Sequence, residues 1–459
     1  MRMFPYCFPP FIPGANINKM DDPTCDRILT FGFYYTRYLN TIQTLFCLSD
    51  HYVIMLSHTS RYRIIDWEVF MLFQEIDAFV EAHKQEMLSK FEQLVRLESH
   101  FEEKDNVLKA MAWVQKEFES EGFECHIEGT TKDRAGLLIG TTGLDRNAPP
   151  VILSGHVDTV HRQGSFGEDV WRVDGDTVYG AGVNDMKGGI IEALYIVKAL
   201  NAIGYDRTPI KILFAGDEEG DHIGTDTNLL YTRESRGALA AFNMETGVAG
   251  VFTVARKSCH IFHLTVEGQG GHAGNDFTTS ENAVEEAMCK ALEIVKLTDM
   301  EKGTTVATTV IRGGDHPSAI PASCEVTLDA RVSSVDEKER IYRSIDEICK
   351  TAFIPGTQTT YAHYAAKYEG YTENEQIRKL HEFVNDIAEE LGQTAYGKCY
   401  RGGAADSGNM AIAEIPVLCS CGIVGDFSHD RKEFALLHTM YDRTKLFASV
   451  IAGIDRFEI

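Results

Sequence analysis

Histidines and carboxylates recur in this 459-residue chain directly after short apolar runs. His156 and Asp158 follow Val151-Ile152-Leu153. Asp185 sits in the glycine-rich stretch Tyr179 to Gly189, just before a helical pattern. Asp217-Glu218-Glu219 follow Ile212-Leu213-Phe214, and Glu245 follows Phe242-Asn243-Met244. Each apolar run reads as a buried strand. In open parallel sheets, ligands bind at the carboxyl ends of the strands, so these residues converge on one rim despite their separation in the chain. Carboxylates gathered in a cleft repel one another, and a divalent cation is the usual way to hold them ionised together. One imidazole among several carboxylates suits zinc, and two zinc ions need more ligands than one. Taken singly, each piece has a plainer reading. An H-x-D is usually a surface turn, a D-E-E run a solvated loop, and a lone Glu a helix cap or an exposed carboxylate. All four in order, each behind a strand, point to a metal centre.

The elements that position them alternate. Residues 67–97 read as a helix whose apolar face carries Phe70, Phe73, Ile76, Phe79 and Val80, and 105–121 repeats the pattern up to Gly122. Strands at 151–153, 210–215 and 240–244 alternate with a helix over 186–200, which predicts an α/β, doubly wound and mostly parallel sheet. The period then changes. Strands at 259–267, 304–311, 324–332 and 357–366 with helices at 280–297 and 336–352 give the order β-α-β-β-α-β of a ferredoxin-like α+β unit. A helix at 374–391 resumes the first pattern. The chain therefore reads as an atypical extension (1–65), the two parts of one catalytic domain (66–254 and 367–459), and an inserted lid or dimerisation domain (255–366).

Composition sets the outer bounds. The chain is 44% hydrophobic and 24% charged, which excludes wholesale disorder and a polytopic membrane protein. Its formal charge of −24 repels nucleic acid and anionic membranes, so neither is expected as a partner. Eleven cysteines without a C-x-x-C pattern suit a reduced, cytoplasmic setting, as small buried hydrophobes. Residues 1–65 stand apart: they hold no Glu, five of the 12 prolines, and six Lys or Arg against four Asp. They read as a poorly packed extension, with Met71 as an alternative start, or as a docking segment whose aromatics pack on the body.

The blocks Gly155-His156-Val157-Asp158-Thr159-Val160, Gly182 to Gly189 and Asp217-Glu218-Glu219 resemble the signature of the co-catalytic zinc hydrolases. That family includes glutamate carboxypeptidase, acetylornithine deacetylase, succinyl-diaminopimelate desuccinylase and aminoacylase. The resemblance covers roughly residues 72–459. It implies two Zn²⁺ per subunit, with Co²⁺ or Mn²⁺ able to occupy similar sites. It implies His156 and Glu245 on one ion, Glu219 and His429 on the other, Asp185 bridging them, and Asp158 orienting the His156 imidazole. His429 is chosen from Gly425 to Glu433, a His before a short acidic motif. Glu218 would be the general base and acid, taking a proton from water and passing it to the leaving nitrogen.

The lid adds further expectations from the same resemblance. His272, in Gly270-Gly271-His272-Ala273-Gly274, would reach the oxyanion, often in the partner subunit of a homodimer; otherwise it stabilises its loop. Arg331 would meet a substrate carboxylate, or form a lid salt bridge. Gly402 and Gly403 match a glycine-rich substrate loop. Ser318 departs from the pattern, because relatives commonly carry Asn there. The expected activity is hydrolysis of an amide or peptide bond in a small peptide or N-acyl amino acid, with a carboxypeptidase-like lid. The alternatives are an N-acyl amino acid deacylase and a metal-stabilised binding protein. Retention of Glu218 and all five candidate ligands argues against the last. An acidic scaffold would explain none of the strand-end clusters.

Overall fold

The computed structural model describes residues 62–167, 170–365 and 368–459, together with short strands at Phe33–Tyr34, Leu45–Ser49 and Tyr52–Leu56. These strands and Tyr62–Asp66 pair in sequence order into a four-stranded antiparallel sheet within the unit Met1–Glu68. The extension expected over 1–65 otherwise lies outside the described residues. The strands were not anticipated, although Val53-Ile54 and Ile64-Ile65 are β-branched pairs that favour extended backbone.

The second unit, Val69–Ile459, is built on a six-stranded sheet. Its order is Val417–Leu418, Ala240–Asn243, Val151–His156, Ile210–Ala215, Leu137–Thr142, Glu124–Glu128. The first four are parallel and the last two pair antiparallel, as the doubly wound reading expects. Val151–His156 is buried along its whole length, as a strand covered on both faces must be. Alternation sends neighbouring residues into two cores. Leu153, Ile212 and Phe214 join Phe118, Leu194 and Phe447 on one face, while Ile152 and Leu213 join Tyr231, Met410 and Val417 on the other. The helix Gly188–Ala202 is apolar nearly all round because it is buried against the helix Leu437–Ala452. Gly189 and Gly422 flank the Met244 carbonyl, where an added Cβ would lie 1.9 and 2.2 Å from that oxygen. Only glycine permits this approach, and Met244 immediately precedes Glu245.

The inserted unit has its own four-stranded antiparallel sheet, ordered Thr305–Gly313, Ser323–Val332, Ser258–Glu267, Gln358–Ala365. The helices Ala283–Val295 and Val335–Lys350 complete the ferredoxin-like pattern over a separate core of Phe262, Leu264, Val266, Val326, Leu328, Ile341 and Ile345. Both helices start at polar caps. The Asn282 side chain accepts from the amides of Val284 and Glu285, and that of Ser334 from Glu337. The chain leaves and re-enters the larger domain side by side, through paired backbone bonds between Arg256 and Tyr371. Among the described residues, no helix is long and apolar enough to cross a membrane.

Candidate metal centre

The strand Val151–His156 ends with a buried imidazole. Its Nδ1 lies 3.0 Å from the Asp158 carbonyl oxygen and 3.5 Å from Asp158 Oδ1, which turns Nε2 towards the rim of the sheet. There Nε2 is 3.1 Å from Asp185 Oδ1, 3.5 Å from Glu245 Oε1 and 4.0 Å from Glu218 Oε2. On the other side, His429 Nε2 is 3.4 Å from Asp185 Oδ2 and 3.1 Å from Glu219 Oε2. The two oxygens of Asp185 thus face two different histidines. All six residues expected around the metals (His156, Asp185, Glu218, Glu219, Glu245 and His429) come together at the strand ends.

Two sets of donor atoms lie within 4.8 Å of one another: His156, Asp185 and Glu219, and His156, Glu218 and Glu245. Imidazole nitrogens with carboxylate oxygens at this spacing fit a divalent transition metal such as zinc. Glu218 is close enough to His156 and Glu245 to count among the donors, which the family pattern did not expect.

The electrostatics fit the same conclusion. Burial would strip a proton from His156, but the carboxylates of Glu218, Asp158, Asp185 and Glu245 hold its pKa well above the ordinary value. Burial also opposes the charge of Asp185, yet the two imidazoles draw it far below the usual carboxylate range. Glu218 is pushed well up by burial and by Glu245, Glu219 and Asp406. Burial and Asp185 push Glu219 up to about 7, and raise Glu245 as well. His429 is raised to about 11 by its bonds to Asp185 and Glu219. Without a cation, this cluster holds protons that a metal would displace.

Asp158 does more than orient His156. Its carboxylate accepts the backbone N–H of Glu218 at 3.2 Å and of Glu219 at 2.9 Å, so one side chain places both glutamates. Three further groups escaped the sequence reading. Glu433, fully buried, accepts the N–H groups of Gly182, Asn184 and Asp185 at 2.8–3.0 Å and faces His161 Nε2 at 2.9 Å. It fixes the irregular turn 183–187 that presents Asp185. The spacing His429-x-x-x-Glu433 was visible, but not what Glu433 would hold. Arg256 donates to the Gly403 carbonyl at 3.1 Å and helps to offset the charge of Glu245. His222 lies buried between Asp217 and Asp406, and nothing in its sequence context marked it.

The remaining expected residues lie elsewhere. His272 is exposed in a two-residue strand that pairs with Ala319–Ile320. Its Nδ1 accepts from the amides of Gly274 and Asn275 at 3.1 and 3.2 Å, and no hydrogen bond joins it to the carboxylate cluster of its own chain. Ser318, on the facing segment, gives its carbonyl to the Ala273 N–H. Arg331 makes a two-pronged pair with Asp329, at 2.8 and 2.9 Å, in line with the salt-bridge alternative. Gly402 has open space around it, and the Gly403 carbonyl is held by Arg256.

Residues 254–357 match the model of a peptidase dimerisation domain. The chain is 25% identical to carboxypeptidase G2 of Pseudomonas sp. over 379 residues, covering 80% of this chain and 90% of that protein. It is 23% identical to the succinyl-diaminopimelate desuccinylase of Gluconobacter oxydans over 327 residues, covering 68% and 83%. Among solved structures, aminopeptidase PepT of Bacillus cereus superposes with a TM-score of 0.69 at 18% identity, over 81% of this chain and 99% of that one. An M20 family metallo-carboxypeptidase of Sulfolobus solfataricus gives 0.65 at 12% identity, over 80% and 98%. In its dimerisation-domain match, its relatives and its fold, the chain is similar to the hydrolase family that its motifs resemble.

Glu433 belongs to neither group of possible metal donors, yet it fixes the turn of one of them, Asp185. Glu433→Gln would set an amide NH₂ against backbone N–H groups and misplace Asp185. Zinc affinity should fall ~10–100-fold, the usual effect of losing a group that orients a metal ligand. Chelator competition measures it; an unchanged affinity would remove Glu433 from the site.

Proposed function

We propose that this chain hydrolyses an amide or peptide bond of a small peptide or N-acyl amino acid, using two Zn²⁺ per subunit. Residues 66–254 and 367–459 form the hydrolase domain in this reading, and 255–366 the lid. His156 and Glu245 would hold one ion and Glu219 and His429 the other, with Asp185 serving both. Zinc pairs of this kind polarise a carbonyl oxygen and bring the pKa of a bound water to about 7.

The observation that carries the reading is the state of Glu218. Its carboxylate lies 4.0 Å from His156, and no hydrogen bond to it is present among the described residues. Burial and neighbouring carboxylates raise its proton affinity. A carboxylate without a hydrogen bond beside the candidate metal site suits a group that accepts a proton from water and delivers it to the leaving nitrogen. Tyr368 fixes the turn from behind by donating to the Glu218 backbone carbonyl, which leaves the side chain free. Carboxypeptidase G2 and succinyl-diaminopimelate desuccinylase mark the two substrate classes, a peptide-like amide and an N-acyl amino acid. A panel of both, with free carboxylates and as amides, separates them.

A second reading, in which Glu218 ligates a metal, draws on its placement beside His156 and Glu245. Glu218→Gln and Glu219→Gln distinguish the two. A general base contributes ~10²–10⁴-fold to rate, so Glu218→Gln should keep its metal and lose nearly all turnover. Glu219→Gln should lose metal as well. Loss of metal from Glu218→Gln, with Glu219→Gln replete, would assign Glu218 as the ligand.

The dimerisation domain supports a homodimer through the lid. Because His272 Nδ1 accepts two backbone N–H groups, Nε2 carries the proton and is the donor it offers. We propose that it serves the oxyanion in the partner's site. His272→Ala should lower kcat strongly and leave bound metal unchanged. Confirmed heterodimers with a Glu218→Gln subunit should regain activity; none regained would rule out action between subunits.

A further inference from the structure

Beyond the residues proposed to hold the metals and Glu218, one buried group joins two parts of the site that the motifs do not connect. His222 is fully buried, with positive φ, three residues after Glu219. Its Nδ1 lies 2.9 Å from Asp217 Oδ1, and its Nε2 2.7 Å from Asp406 Oδ1. A carboxylate oxygen only accepts, so each ring nitrogen must donate and the ring is an imidazolium. Burial opposes that charge, but Asp406 and Asp217 hold its pKa well above the ordinary value.

The two carboxylates belong to different loops. Asp217 opens the turn that carries Glu218 and Glu219, and its other oxygen takes the hydroxyls of Thr225 and Thr227. Asp406 closes the glycine loop that begins at Gly402. It accepts from Asn409 at 3.1 Å, and its Oδ2 is buried without a partner. The Tyr368 ring packs on His222, with centroids 5.1 Å apart, and its hydroxyl reaches the Glu218 carbonyl. A charge-assisted bond at each end is stronger than a neutral one, and all three side chains are buried.

We propose that His222 is a positioning residue that ties the turn of Glu218 and Glu219 to the glycine loop 402–406, so that the base and the substrate-facing backbone keep one spacing. The effect on rate rests on the hydrolase reading; the link itself does not.

Two measurements on the full chain keep these apart. In ¹⁵N-histidine NMR of the metal-replete chain, where His156 and His429 would give up their protons to the metal, a histidine whose signals vanish in His222→Gln should keep both ring nitrogens protonated up to pH 8. A neutral His222 at pH 7 would overturn the link whether or not the protein hydrolyses anything. An inactive parent with the doubly protonated signal would instead overturn the hydrolase reading and leave the link standing. The second measurement is kcat per metal-replete chain. The side-chain amide introduced by His222→Gln would offer one donor and one acceptor to two carboxylates, so the single variant should lose at least tenfold in kcat, with KM changed less. Adding Asp406→Asn supplies the missing donor and should restore most of that loss. A kcat within twofold of the parent for His222→Gln, or a double variant no better than the single, would overturn the proposal. If His222→Gln does not fold, Asp406→Leu is used instead, which leaves His222 Nε2–H without its acceptor; it should lose at least tenfold in kcat, and a kcat within twofold of the parent overturns the proposal.

Discussion

Four carboxylates, from Asp185, Glu218, Glu219 and Glu245, face one another across a few ångströms at the end of a buried sheet, each with 7–15% of its side chain exposed. Two like charges ~4 Å apart repel by roughly 4 kcal/mol at an effective dielectric near 20. Two imidazoles and the protons they share relieve part of that repulsion. The strand register, the close approach at Met244 and the turn held by Glu433 keep these groups together against it. A scaffold that holds like charges at this spacing is built to receive a cation.

The same constraint explains the supporting polar groups. Asp158 receives the amides of Glu218 and Glu219, and Glu433 the amides around Asp185. Each spends a buried carboxylate on backbone donors, which fixes the acidic residues beside it. Arg256 and His222 place positive charge behind the acidic rim. The lid stands apart from this machinery, with a separate core and backbone pairing between Arg256 and Tyr371 where it joins. It packs around its own core, apart from the packing that holds the acidic cluster.

Most of the fold was legible in the sequence because its signals are periodic. The strand at 210–215, the helix after Asp185 and the β-α-β-β-α-β order of the lid each follow from apolar spacing. The residues gathered at the strand ends were legible because chain order and strand ends together dictate convergence. What escaped were partners defined only in three dimensions. His222 faces Asp406 across 184 positions and Glu433 reaches Gly182 across 251, and neither spacing leaves a trace in the chain. Arg331 shows the reverse limit. The alternation of its strand places Asp329 beside it on the same face, so a local pair competes with any substrate role, and periodicity alone does not rank the two.

Two divalent cations on this rim, with Asp185 between them, would balance its carboxylates. Anomalous diffraction at the zinc edge, with metal analysis of the same protein, tests this most directly. Two zinc peaks per chain are expected, one against His156 and Glu245 and one against Glu219 and His429, with an Asp185 oxygen on each. A single peak, or two peaks that leave Asp185 on only one, would contradict this.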